Sequence, residues 1–252
     1  MITLHDFVML GKTVPEPNSD GRVFVCSAGV SGTLRSLVRI YPLARYGAPP
    51  RWSVNTITLE RNPKDSRAES FKLAGDRSPG AHNRINTGFV GAGDYPPPLR
   101  ADLLKSYAVE SIAEANARRL SLAMLHPDAV SLEFDHNPDS PDSPQLTLFD
   151  LQPRPTEGAK RFAYIPRLRF RDASGEHRLM LRDWGCFEFM RKHGDGRRAE
   201  LADALHLDSS CSLLIGNLNH HRNAWLVISV LRGLREAPAL FDLAGAFEAV
   251  TR

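Results

Sequence analysis

Arg22 to Tyr41 reads RVFVCSAGVSGTLRSLVRIY, and this stretch sets the fold class. Two runs rich in Val, Ile, Leu and Phe, at 22–30 and 33–41, flank the turn Gly29-Val30-Ser31-Gly32. Branched and aromatic residues bounded by glycine read as a pair of strands, not a helix. Side chains alternate along a strand, so Leu34, Val38 and Ile40 share one face. Arg35, Leu37, Arg39 and Tyr41 share the other. The first face is apolar enough for a core. The second interleaves guanidinium groups with a ring, a pattern that suits phosphate pairing and base stacking, or a solvated strand face with Tyr41 under a loop.

The same pattern extends outward. Residues 2–10 and 52–60 read as further strands, and 67–73 as a short one. Gly75 to Pro98, rich in Gly, Pro, Asn and Asp, reads as a long loop. Residues 99–119 favour a helix by composition. Strand-like segments follow at 121–125 and 129–135. Asn137 to Pro144 is a polar linker that predicts a boundary between a domain at 1–136 and another at 145–252, or a surface loop in one composite domain. Beyond it, 161–171 and 176–183 read as a hairpin, 184–193 and 197–206 as helices, and 223–231 as a buried strand. A short amphipathic helix is expected near 238–250. The expected fold is α+β and β-rich, with small barrel-like or OB-like sheet structure and peripheral helices.

Composition narrows the function classes. Among 252 residues, 42% are hydrophobic and 24% charged, values of a globular chain. Net charge is only +3, so the placement of charge has to argue for nucleic acid. Cys26, Cys186 and Cys211 are few and far apart, which fits a reducing compartment better than a disulfide framework. No basic segment followed by a long apolar one opens the chain, and Trp225-Leu226-Val227-Ile228 is too short to cross a bilayer. The expectation is a cytoplasmic protein with no membrane partner. No phosphate loop, dinucleotide fingerprint, nucleophile elbow or kinase signature occurs, so no cofactor is expected.

Three groups of residues stand out. In the hairpin, Arg167, Arg169 and Arg171 alternate with Leu168 and Phe170, while Arg178, Met180 and Arg182 alternate with Leu179 and Leu181. A two-residue turn at Ser174-Gly175 would pair 171 with 178 and 169 with 180, and so set arginines opposite arginines. Phosphate or nearby carboxylates would relieve that repulsion. A competing turn puts Gly175 in a bulge. Asp65, Arg67 and Glu69 also alternate. They read as a catalytic carboxylate pair or, more simply, as an internal ion-pair ladder in which Arg67 competes for both acids. His220 and His221 are adjacent and lack metal-ligand spacing, so no metal site is expected. His220 is a candidate general base, or belongs to a turn that positions the following strand.

Several fragments together carry a resemblance. They are Cys26-Ser27-Ala28-Gly29, Arg39-Ile40-Tyr41-Pro42, Asp65-Ser66-Arg67-Ala68-Glu69-Ser70-Phe71-Lys72, and Gly216-Asn217 ahead of Trp225-Leu226-Val227-Ile228. The chain resembles poorly characterised bacterial proteins associated with defence and DNA modification. Its opening Cys-x-Ala-Gly and Arg-Ile-Tyr-Pro are similar to the start of dual OB-fold proteins linked to nucleic-acid modification. Leu37-Val38-Arg39 lacks the Trp that precedes the Ile/Val-Arg pair in that group. The resemblance implies a nucleic-acid setting and supplies no catalytic residue. The leading expectation is a non-catalytic nucleic-acid-binding component of a bacterial defence or DNA-processing system, with other subunits of that system as further partners. Arg35, Arg39 and the hairpin arginines would contact phosphate, and Tyr41 and Trp52 would stack on bases. The rivals are a metal-dependent nuclease or nucleotide hydrolase using Asp65, Glu69 or His220, and an assembly subunit that docks a partner near Trp225.

Overall fold

The computed structural model describes residues 1–17, 23–44, 47–75, 88–137, 162–208 and 210–232. The first strands close on themselves. β1 (Ile2–Lys12), β3 (Val23–Ser31), β4 (Ser36–Ala44), β6 (Ser70–Leu73) and β5 (Ser53–Arg61) pair in that order, and β5 returns to β1. The result is a closed five-stranded barrel. Every pairing around it is antiparallel except β4 with β6. This Greek-key closure is OB-like and leaves no open sheet edge within the ring. β2 (Glu16–Pro17) adds to β3, and β7 (Phe89–Asp94) adds to β5. β7 lies inside the stretch expected to be loop.

The alternation of β4 decides the layering. Val38 and Ile40 point into the barrel with Leu4, Phe7, Ile57 and Leu59. Leu37 points outward, with Val8, Leu10, Ala28 and Val30 from the neighbouring strands. That outer face is not solvated. A second sheet lies on it, made of β14 (Trp225–Arg232), β13 (Cys211–Asn217), β9 (Leu122–Leu125) and the two-residue β8 (Ala108–Val109). Leu122, Met124, Leu214, Ile228 and Leu231 pack against the barrel. The two layers meet closely at Gly11, where a Cβ would come 2.5 Å from the Ser229 Cβ.

The second sheet is buried on both faces, hence its near-continuous apolar runs. Ala123, Leu125, Leu213 and Ile215 face away from the barrel and meet a third layer. That layer holds the sheet of β10 (Ala129–His136), β11 (Tyr164–Asp172) and β12 (Gly175–Met180), and the helices α3 (Trp184–His193) and α4 (Glu200–Leu205). Each fully buried large apolar side chain contributes about 1.5–3 kcal/mol. Dozens of them make the three layers one packed body. β9 precedes the 137–144 stretch and β13 follows it, yet they pair residue for residue from Leu122–Gly216 to Leu125–Leu213. One sheet thus draws strands from both sides of that stretch. From residue 138 the stretch lies outside the described residues, as does the helix expected near 238–250.

The long helix expected at 99–119 is broken. α1 (Arg100–Ser106) ends, β8 joins β9 in parallel, and α2 (Ile112–Ala117) begins. A fresh N-terminal cap at Ser111 starts the second helix. Ser111 accepts a bond from the Glu114 amide at 3.1 Å, and the Glu114 carboxylate accepts one from the Glu110 amide at 2.7 Å. No helix among the described residues is long and apolar enough to cross a membrane.

Candidate nucleic-acid interface

Most of the expected phosphate contacts are placed elsewhere by the fold. Arg39 is the largest fully buried side chain among the described residues, at 2% exposure. It lies on the same face of β4 as Leu37, so the second sheet covers it. Its Nη2 donates to the Ser121 carbonyl at 2.6 Å, while Nε and Nη1 have no partner among the described residues. Burial lowers its pKa, the nearby Arg67 adds to that, and Cys26, Asp65 and Glu69 oppose it. Gly216 makes the room: a Cβ there would stand 2.9 Å from the Arg39 Nη2. Trp52 is also buried, in the layer between barrel and second sheet, with the Arg100 guanidinium 4.8 Å from its ring centre. Neither residue can reach a nucleic acid. Tyr41 does reach the surface, 36% exposed, its ring edge-on to Phe24. Arg35 is exposed in the β3–β4 turn with left-handed backbone (φ 49°), one residue before β4 begins.

The arginine face of the hairpin exists, in a register that the turn alone does not predict. Asp172 pairs with Gly175, Arg171 with Glu176, Arg169 with Arg178 and Arg167 with Met180. This differs from the expected register by two residues, so the leucines and arginines keep their separate faces. Phosphate is not what relieves the opposed arginines. β10 pairs with β11 and brings Glu133 and Asp135 onto the arginine face. Glu133 accepts from Arg169 Nε at 2.8 Å and from Arg178 Nε at 2.6 Å. Asp135 accepts from Arg167 and Arg178. Arg171 pairs with Glu176 at 2.7 Å. Arg182 lies beyond the end of β12 and is half-buried against Glu16. The face is thus a largely neutralised ion-pair network, a poor phosphate surface.

The Asp65 to Ser70 segment forms half of the expected ladder, with Arg67 on Asp65 and not on Glu69. Asp65 accepts from Arg67 Nε at 2.8 Å, Arg67 Nη2 at 2.5 Å and Ser70 Oγ at 2.6 Å. Burial raises its pKa, but the Arg67 and Ser70 hydrogen bonds outweigh burial and bring it to about 2. Glu69 turns to Ser121, accepting from its amide at 3.0 Å and its hydroxyl at 2.8 Å. Both carboxylates are occupied by neighbours within the fold. His220 is exposed in the β13–β14 turn. Among the described residues, no three His, Cys, Asp or Glu side chains gather where they could hold a metal. Trp225 is buried too, its Nε1 donating to Asn116 Oδ1 at 2.9 Å, and so is not a free docking patch.

The ladder positions a surface that strand patterning does not reveal. Arg67 Nη1 reaches the Asn217 carbonyl at 2.5 Å, which fastens the β5–β6 loop (62–69) to the β13–β14 turn (218–224). Two outer bonds complete the contact: Asn219 Nδ2 to the Lys64 carbonyl at 3.2 Å, and Arg222 Nη2 to Ser66 Oγ at 3.0 Å. Lys64, His220, His221 and Arg222 are all exposed here. Neither Lys64 nor Arg222 has a carboxylate in ion-pair range among the described residues. Arg61 is exposed at the root of the loop, bonded to the Ala68 carbonyl and lying over the Phe71 ring at 5.0 Å. Asn62 Nδ2 ties the loop to the Tyr41 carbonyl at 3.2 Å. Of the residues named from sequence, Tyr41 and His220 flank this surface. Lys64, Arg61 and Arg222 had no distinguishing sequence signal, since a lone cation in a loop reads as ordinary solubility.

Fragments far apart in the chain therefore meet at one junction: Arg39, Asp65, Arg67, Glu69, Gly216 and Asn217. Residues 4–88 match a domain of unknown function, DUF8758. No curated protein and no solved structure matches the chain. The DUF8758 stretch spans all five barrel strands and the Asp65–Ser70 ladder. The second sheet and the Arg222 turn lie outside it.

Proposed function

We propose that the protein is a non-catalytic nucleic-acid-binding component, serving a bacterial defence or DNA-processing system. The supporting observation is the juxtaposition of Lys64 and Arg222, held together across the β5–β6 loop and the β13–β14 turn without a carboxylate partner among the described residues. Arg61 extends the cationic surface, and His220 and His221 are exposed beside it. OB-like barrels take ligands on the outer face of their second and third strands and on the loops beside it, including the loop between the fourth and fifth strands. Here the strand face is filled by the protein's own second sheet. The loop between the fourth and fifth barrel strands is the 62–69 loop, and it stays open. Phosphates then meet Lys64, Arg222 and Arg61.

The test is binding of the full chain to labelled DNA and RNA across a salt series. Lys64→Ala/Arg222→Ala should weaken binding and reduce the salt slope by about 2. Unchanged affinity in that double variant would remove this surface from the account.

A further inference from the structure

We infer that the nucleic acid taken by this surface is single-stranded, with at least one unstacked base resting on Tyr41; this rests on the nucleic-acid reading above. Five large apolar side chains are exposed among the described residues: Met1, Tyr41, Val90, Leu99 and Leu218. Two of them border the Lys64 loop. Tyr41 is joined to it through Asn62, and Leu218, 45% exposed, precedes the Asn219 that bonds to Lys64. The Tyr41 ring is braced edge-on by Phe24 at 6.5 Å between centres, which fixes its orientation at little entropic cost. Arg61, held over Phe71 and tied to the Ala68 carbonyl, adds a guanidinium plane.

A duplex turns phosphates outward and keeps its bases stacked. Cations alone would therefore serve it, and exposed rings or leucines among them would gain nothing. Unstacked bases reward such side chains, because each base has a π-face for an aromatic ring or an arginine plane. Two exposed apolar side chains, Tyr41 and Leu218, beside the exposed cations Arg61, Lys64 and Arg222 are complementary to a backbone with splayed bases. Trp52, the other aromatic named for stacking, is buried and cannot share the role.

The experiment compares one labelled strand with its own duplex at matched salt. Wild type should prefer the single strand. Tyr41→Ala should weaken single-strand binding by about 10-fold, within the range for losing one base–aromatic stack. Its salt slope should stay unchanged, and Tyr41→Phe should bind as wild type. Leu218→Ser, at an exposed turn position, gives a second reading independent of the barrel. Equal affinity for strand and duplex, with both variants silent, would overturn the inference. If Lys64→Ala/Arg222→Ala still weakened both forms in that case, the proposed function would stand without it. Binding of neither form would end the proposed function itself.

Discussion

Arg67 donates from Nη1 to the main-chain carbonyl of Asn217 at 2.5 Å, across 150 residues of sequence. The same guanidinium holds Asp65 with Nε and Nη2. One side chain thus locks a barrel loop to the turn of a different sheet. Arg67→Met leaves Asp65 buried without its cation and should cost about 3–5 kcal/mol. Urea unfolding of the purified variant measures this. A cost below about 1 kcal/mol, the range of an exposed pair, would mean the clasp is incidental.

Asp65 makes acid stability depend on this clasp. Its folded pKa is lowered from 3.8 to about 2, so the folded state holds the carboxylate better than the unfolded chain does. The contribution, on the order of 2 kcal/mol, is complete above about pH 4. It declines as pH falls through that range and is gone below about pH 2. Asp65→Asn should flatten the fall in unfolding free energy between those limits. An unaltered acid limb would assign the pH dependence to other carboxylates.

Arg39 should be replaceable. It buries a cation whose Nε and Nη1 have no partner among the described residues, and the Ser121 carbonyl it does reach also accepts from the Asn217 amide at 3.0 Å. Exchanging a buried charge for an apolar side chain of similar length is often neutral or stabilising by about 1–4 kcal/mol. Arg39→Met should therefore keep or raise the melting temperature. A marked drop would show that those two N–H groups are satisfied by a bound water or ligand.

Arg169→Ala/Arg171→Ala should leave nucleic-acid affinity and its salt slope unchanged. Glu133 and Glu176 already accept from these side chains at 2.8 and 2.7 Å. Polarisation assays beside the Lys64/Arg222 variant decide between the two surfaces. A loss of affinity confined to the hairpin variant would return the interface to β11 and β12.

The strands, their faces and the β-rich class were legible in the chain before any folding was considered. Period-two alternation is a local property, and Val38 and Ile40 against Leu37 and Arg39 carry it without reference to the rest of the protein. The Asp65–Arg67 pair of the expected ladder was legible for the same reason, whereas Glu69 turns to Ser121 instead. What lay opposite each face was settled only by tertiary packing. Arg39 and Tyr41 share one face of one strand, yet the second sheet covers the first and stops short of the second. Glu133 and Asp135 reach the hairpin arginines only because β10 pairs with β11. Lys64 and Arg222 became neighbours through Asn219, Ser66 and the Arg67 clasp. Long-range pairing is set by which apolar faces can be buried together, and that choice is made by the whole chain at once.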